Sequence, residues 1–450
     1  MKRVAIIGAG ESGLGAALLA KKEGYAVFVT DAGMISEARK SRLESEGIEF
    51  EEGKHSEEKI LEADFIIKSP GIPEKAPLIQ AAIQKGINII DELEFAAQFA
   101  QGKVIAITGT NGKTTTTLLT YHLMKEAGLD VGLAGNVGQS WAGQLVEQDH
   151  LWWVLECSSF QIDGMKEFHP TIGMLTNVTP DHLDRYDYKV ENYLDSKMRL
   201  FQNQTEKDFA IYHLEDKLSL QGFQTKNPQS KKLGISLSGK PFPGAYQEGD
   251  SLQVSLEDKS FTIPVEALPI HGEHNVLNAL FAITTAGLAG VREDQLVEGL
   301  KTFKNAPHRM EPVGEINGVN FINDSKGTNV EATYYALGSF QSPLIWIAGG
   351  VDKGNDYSVL LPQVNGKVKA LICLGKENEK LKKAFSGSIP EIRETQNIAE
   401  AVRWGLDLGL EGDTVLLSPA CASFDLFKNY EDRGNQFRSA VQELKLEVNA

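Results

Sequence analysis

The sequence predicts an α/β protein of three successive units, each a mainly parallel sheet covered by helices. Three observations carry this. Short apolar strands alternate with helical segments almost throughout. Two glycine-rich loops each stand between a strand and a helix. At 450 residues the chain exceeds what one ordinary core holds. Apolar residues make up 42% and charged residues 24%, the balance of a globular chain. No apolar run reaches the ~20 residues of a membrane span. The apolar run 4–7 ends in glycines with no small-residue cleavage site, and reads as a buried strand rather than a signal peptide.

The first unit carries strands over 4–7, 26–30, 65–68 and 87–90, with helices over 14–23 and 76–85. A second series starts with a strand over 104–108 and a helix over 115–127, and continues through strands at 152–156 and 172–176. The stretch 219–264 is poor in helix formers and rich in Gly, Ser and Thr, which predicts a small antiparallel insertion. Helices return over 275–289 and 293–302, and a third series follows with strands over 319–323, 344–348, 370–374 and 414–417.

Three scattered cysteines, Cys157, Cys373 and Cys421, argue against a disulfide framework and for a reducing, cytoplasmic compartment. The formal charge of −16 disfavours nucleic-acid or anionic-membrane binding over the whole surface. A local pocket of glycine amides and lysines can still hold an anionic small molecule.

The first loop, Gly8-Ala9-Gly10-Glu11-Ser12-Gly13-Leu14-Gly15, follows the first strand, and Asp31 stands 18 residues after Gly13. Glycines admit a pyrophosphate to the backbone and the helix N-terminus stabilises its charge, so the loop suits a nucleotide diphosphate. Alone it suits an NAD-dependent dehydrogenase equally, or strand–helix packing without a ligand.

The second loop, Thr108-Gly109-Thr110-Asn111-Gly112-Lys113-Thr114-Thr115, ends in the Gly-Lys-Thr of a phosphate loop. There the amides cradle phosphates, the lysine reaches the terminal ones and the threonine hydroxyl binds Mg²⁺. Ile107 stands where the usual pattern has its first glycine. Polar clusters follow later strands, at the edge where open α/β sheets bind ligands. Glu156 can act as a Mg²⁺ carboxylate or cap the next helix. His182 reads as a metal ligand or a hydrogen-bonding turn residue, and Lys197 as a solvated lysine. In the third unit the segments at 323–329, 349–354 and 418–425 gather lysines and hydroxyls suited to a small dicarboxylate.

Together TGTNGKTTT, ECSSFQ, NVTPDHLDR, HGEHNVLNA, APHRME, NDSKGTN, GGVDKG and SPACASFDLFKNYEDRGNQF resemble the Mur ligases, the amide ligases that build the peptide of bacterial cell-wall precursors. The resemblance covers essentially the whole chain. The first four segments are shared with sister ligases and folylpolyglutamate synthetases. GAGESGLG and the last three segments resemble the branch that adds D-glutamate.

The resemblance implies three domains: an N-terminal Rossmann-like UDP-binding unit at 1–94, a central phosphate-loop ATPase-like unit at 95–305, and a C-terminal Rossmann-like unit for the amino acid at 306–450. It implies that Gly10, Ser12, Gly13, Asp31, Ser69 and Gly71 hold the uridine diphosphate of the substrate, with Asn136, Ser158, Gln161 and His182 on its sugar and acyl chain. Gly109, Asn111, Gly112, Lys113, Thr114 and Thr115 would hold ATP phosphates, with Asn275, Asn278, Arg309 and Asp324 completing the nucleotide site. Lys326, Thr328, Lys353, Ser423 and Tyr430 would hold D-glutamate. Lys197 matches the family's carbamylated lysine, which serves a second Mg²⁺ (or Mn²⁺) with His182, while Thr114 and Glu156 serve the first.

Lys113, His182 and Lys197 are then the catalytic residues. ATP would activate the carboxylate of UDP-N-acetylmuramoyl-L-alanine as an acyl phosphate, which the D-glutamate amine attacks after domain closure. The implied enzyme is a cytoplasmic monomer that binds neither nucleic acid nor membrane. A dehydrogenase, a non-catalytic nucleotide sensor and a sister ligase are the rival readings. The first leaves the phosphate loop unexplained, and the other two are separated by which amine, if any, drives phosphate release.

Overall fold

The computed structural model describes residues 1–269, 272–352 and 354–449. Three sheets form, and each grows from a buried central strand. In the first, Arg3–Ile7 lies between Ala26–Asp31 and Phe65–Lys68, with Glu49–Glu52 and Asn88–Ile90 at the two edges, all parallel. Residues 4–7 are buried because helices cover both faces, which is why the run reads as continuously apolar. Glu49–Glu52 escapes prediction because Glu-Phe-Glu-Glu has little intrinsic strand preference. Tertiary partners override that preference: Glu51 accepts from the Thr30 hydroxyl at 2.9 Å and from the Ser56 amide and hydroxyl, both at 2.6 Å. The first helix, Glu11–Lys22, begins three residues before its expected start, with acidic Glu11 in its first turn and Lys21 and Lys22 in its last.

The central sheet has nine strands. Lys103–Thr108 sits between Trp152–Glu156 and Ile172–Leu175, with Val131–Gly135 at one edge. Beyond Ile172–Leu175 it continues through Phe209–His213 and Lys231–Ser236 to Gly244–Glu248, Ser251–Ser255 and Ser260–Pro264. The 219–264 expectation needs correction here. Its first part is a helix, Lys217–Lys226, N-capped by Asp216, whose buried Phe223 stacks on Tyr212 with ring centroids 4.0 Å apart. Packing thus outweighs weak helix propensity. Antiparallel pairing is confined to the last three strands, which extend the sheet rather than form a separate insertion.

The third sheet orders Glu311–Ile316, Val319–Asn323, Thr414–Leu417, Leu344–Ala348, Val368–Leu374 and Glu391–Thr395, parallel except for the first pair. The chain divides into two compact units. Met1–Pro269 with Asn275–Phe303 holds the first two sheets, and Lys304–Ala450 with Ile270–His274 holds the third. All three cysteines are buried and free. Among the described residues no helix is long and apolar enough to cross a membrane.

Two acids fasten the first sheet to the second within the first unit. Both lie in the helix Glu92–Ala97 and both are buried. Glu92 accepts from the Ser140 hydroxyl at 2.8 Å and the Ala142 amide at 2.7 Å. Glu94 accepts the amides of Lys166, Glu167 and Phe168 at 3.0, 2.8 and 2.9 Å. Replacing Glu94 with Ala removes the buried acceptor of three amides, one of them fully buried, so Glu94→Ala should cost about 3 kcal/mol. Urea unfolding followed through the buried Trp141 and Trp153 measures this, and a loss below about 1 kcal/mol would contradict the clamp.

Candidate active site

The first glycine loop leaves the central strand of its sheet where the strand order reverses, the switch point of an open α/β sheet. The Gly8 amide donates to the Thr30 carbonyl at 2.8 Å, and Asp31 accepts the Ala9 and Gly33 amides at 2.7 and 2.8 Å. Asp31 therefore shapes the loop through its backbone. Gly10 is the N-cap of Glu11–Lys22, which places Ser12 and Gly13 in its first turn. On the other side the Ser69 amide donates to Ile7 at 2.9 Å, bringing the 69–72 turn and Gly71 alongside.

The phosphate loop differs from the usual pattern for a visible reason. The strand runs through buried Ile107 to Thr108, so the turn opens at Gly109, two residues later than the pattern expects. Gly109 has φ +152°, and a Cβ there would collide with the Thr176 hydroxyl. Gly112, at φ +83°, caps the helix Lys113–Glu126, whose Thr114 and Thr115 are buried in its first turn. Asn111 donates its amide to the Asn177 side chain at 2.9 Å, and its carbonyl accepts from Thr176 and Asn177 at 2.7 and 3.0 Å. Lys113 folds back on the loop, donating to the Gly109 and Thr110 carbonyls at 2.8 and 2.7 Å. Asn278, on the helix Glu273–Leu288, accepts from the Thr116 hydroxyl at 3.2 Å and donates to Asn275 at 3.2 Å, so Asn278 lies against Gly112 and the helix start with Asn275 beside it.

Glu156 ends the adjoining strand opposite Ile107 and is buried. Asn136 holds it by two bonds, its amide to the Glu156 carbonyl at 2.8 Å and its side chain to the carboxylate at 2.6 Å. Ser158 and Gln161 form a reciprocal capping box on the short helix Ser159–Ile162. His182 takes a left-handed conformation, φ +53°, with its ring 5.0 Å from Phe160.

Lys197 is not the surface lysine its position in a polar sequence suggests. It is 1% exposed, donates to the Gly109 carbonyl at 2.7 Å and lies 4.4 Å over the Tyr193 ring. Burial, and then the nearby Lys113 cation, hold its amine well below the ordinary lysine range. Among the described residues no three His, Cys, Asp or Glu side chains form a ready metal cluster. The oxygen donors of Thr114, in the first turn after the phosphate loop, and of Glu156, at the end of the adjoining strand, nevertheless suit a hard cation completed by phosphate oxygens.

In the second unit, Asp324 is buried at the end of Val319–Asn323. It accepts from Ser418 at 2.8 Å and the Met310 amide at 3.3 Å. Burial pushes its carboxyl up to about 7 against the Ser418 bond and the Arg309 charge. Lys326 lies 5.1 Å over the Tyr430 ring, and the Thr328 amide donates to the Lys326 carbonyl at 2.9 Å. Ser423 is buried, and Lys353 lies outside the described residues.

Sequence reading missed Arg433, which is 1% exposed. Its guanidinium donates to Ser325 Oγ and O at 2.9 Å, to Gly349 O at 3.4 Å and to Cys421 O at 3.3 Å, tying together all three segments that gather lysines and hydroxyls. A signal existed: a cation in the first turn of the helix Tyr430–Val448 opposes the helix dipole and needs another reason to be there. Asn177 was also missed, although a side chain matching both Asn111 backbone groups follows naturally from its place on a neighbouring strand end.

Sheets, loops and buried acids together define a phosphate-loop α/β protein with a second diphosphate-type loop in the same compact unit. Three family models match: the Mur ligase MurD-like N-terminal domain at residues 2–91, the Mur ligase middle domain at 107–286, and the Mur ligase glutamate ligase domain at 308–421. The chain belongs to the Mur ligase family. The UDP-N-acetylmuramoylalanine–D-glutamate ligase of Christiangramia forsetii is 51% identical over 98% of this chain and 100% of its own. That of Bacteroides fragilis is 46% identical over 99% of this chain and 100% of its own. A pseudomurein peptide ligase type C from Methanothermus fervidus superposes with a TM-score of 0.64 at 19% identity, over 99% of this chain and 100% of that one, a likeness of fold.

Gly109→Ala should leave the protein folded but reduce nucleotide affinity at least about tenfold, because the strained Cβ displaces the carbonyl that both lysines share. Calorimetric titration with ADP measures this, and unchanged affinity would remove Gly109 from the site.

Proposed function

We propose that the protein is an ATP-dependent amide ligase that joins D-glutamate to UDP-N-acetylmuramoyl-L-alanine through an acyl phosphate, in cytoplasmic peptidoglycan precursor synthesis. One observation carries the reading. The phosphate loop, Glu156 and buried Lys197 converge at adjoining strand ends in a chain 51% identical to a ligase named for that reaction. The proposed domains are 1–94 for the UDP moiety, 95–305 for ATP and 306–450 for the amino acid, a division supported by the three family models. The proposed enzyme is a monomer.

Gly10, Ser12, Gly13, Asp31, Ser69 and Gly71 are proposed to hold the uridine diphosphate, and Asn136, Ser158, Gln161 and His182 its sugar and acyl chain. Lys113 leaves its two carbonyls to neutralise charge on the transferring phosphoryl group, while the loop amides orient the phosphates. Thr114 and Glu156 would hold a Mg²⁺ or Mn²⁺ ion, which would supply further charge neutralisation. In the second unit Lys326, Thr328, Lys353, Ser423 and Tyr430 are assigned to D-glutamate, with Arg433 fixing the loops that carry them.

Lys197 is proposed to become a carbamate. Its neutral Nζ attacks the carbon of CO₂: an N–C bond forms, one C–O π bond breaks onto its oxygen, and the nitrogen loses a proton to solvent. The product is a carboxylate that, with His182, can serve a second cation. The buried, depressed amine supports this, since only the neutral form attacks.

Phosphate release from ATP with UDP-N-acetylmuramoyl-L-alanine should depend on D-glutamate and not on L-glutamate, L-alanine or L-lysine. Release driven by another acceptor would move the enzyme to a sister branch. Lys113→Ala should lower kcat about a thousandfold, and near-normal turnover would refute the phosphate-loop assignment. With ¹³C-bicarbonate, wild-type protein should give a carbamate carbon resonance that Lys197→Ala lacks. A resonance surviving in the variant would place the modification elsewhere.

A further inference from the structure

One contact in the first unit links two parts of the site that the assigned roles leave separate. Arg185, at the end of the short turn Leu183–Arg185 beyond His182, reaches from the central sheet to the first. Its Nη2 donates to the Pro70 carbonyl at 2.7 Å and more weakly to Ile72 at 3.4 Å. Its guanidinium lies 4.0 Å over the Phe160 ring, the ring whose edge contact holds His182. The Arg185 amide donates to the His182 carbonyl at 3.0 Å, so the two residues also share one backbone turn.

We propose that Arg185 is a positioning residue for the ligase reaction, locking the 69–72 turn beside the first glycine loop to the loop that carries His182. This rests on the functional reading above. The 69–72 turn is bound to the first sheet through Ser69 to Ile7 at 2.9 Å and Lys68 Nζ to Ile72 at 2.9 Å. The His182 loop is bound to the end of the short helix Ser159–Ile162 through the Tyr186 hydroxyl, which donates to Asp163 at 2.9 Å. Arg185 joins these two anchored pieces.

The chemistry asks for arginine at this point. A planar guanidinium can donate in its plane to a carbonyl while its face stacks on an aromatic ring, and an ammonium cannot do both. The carbonyls of the 69–72 turn also accept Lys68, so two cations converge on one short stretch of backbone. Burial, with the neighbouring Arg185 charge, holds the Lys68 amine below its ordinary range. A substrate whose diphosphate lies by the 69–72 turn and whose acyl end lies by His182 would span both ends of this lock. Loosening it would cost orientation at the reacting carboxylate as well as affinity.

The test compares Arg185→Ala, Arg185→Lys and Phe160→Leu. Arg185→Ala should raise KM for the UDP-linked substrate about tenfold and leave KM for ATP within about twofold. Arg185→Lys and Phe160→Leu should fall between this and wild type, since each keeps half of the lock. In ligand-free protein, amide hydrogen exchange should quicken in Arg185→Ala at both 69–72 and 182–186, and stay unchanged at 109–115. A purely structural staple would lower stability and move both KM values alike, and that result overturns the proposal. So does unchanged exchange at 69–72. Because exchange is read without substrate, failure of the assigned reaction and failure of the lock give different results.

Discussion

The carbonyl oxygen of Gly109 accepts two lysine side chains, Lys113 at 2.8 Å and Lys197 at 2.7 Å, and much of the site follows from this. Two full cations on one peptide dipole, one of them buried, is an unfavourable arrangement. Burial, and then the Lys113 charge, hold the Lys197 amine well below the ordinary lysine range, while Lys113 itself is only partly buried. The same carbonyl is fixed by its surroundings. Thr176 crowds the Gly109 Cα, and Thr176 with Asn177 pins the Asn111 carbonyl two residues on. A partly buried lysine and a fully buried one with a depressed amine therefore meet at one turn. Phosphoryl transfer is the role proposed for the first, and carbamate formation the role proposed for the second.

Around that turn the first unit is built by inserting polar groups of one layer into the backbone of another. Glu94 fills a nest of three amides, and Glu92 accepts at the start of the helix Trp141–Glu147. Asn136 secures Glu156, and Arg185 takes the carbonyl of Pro70. Such contacts demand defined geometry, whereas apolar packing alone tolerates sliding. They explain how two separate sheets can share one compact unit.

The parallel strands were legible because short buried apolar runs such as 4–7, 152–155 and 344–348 have few other ways to satisfy their backbone. Both glycine loops were legible because turns with positive φ and close strand–helix approach exclude most side chains. Glu49–Glu52 and Lys217–Lys226 were not, since partners distant in sequence decide them. The site shows the same division. Lys113 and Glu156 announce themselves by residue type and place, while Lys197 needs the family resemblance, because no local pattern distinguishes a buried lysine on a helix from a solvated one. Asn177 and Arg433 act on backbone groups remote in sequence, and only the fold brings those groups to them.

The most direct test of the two-lysine turn is the titration of the Lys197 side chain, followed by NMR of its Cε and Nζ in CO₂-free buffer, in wild type and in Lys113→Ala. The amine should titrate well below the ordinary lysine range in wild type, and move back toward it when the Lys113 cation is removed. A Lys197 that titrates like a free lysine, or that ignores the loss of Lys113, would contradict the account.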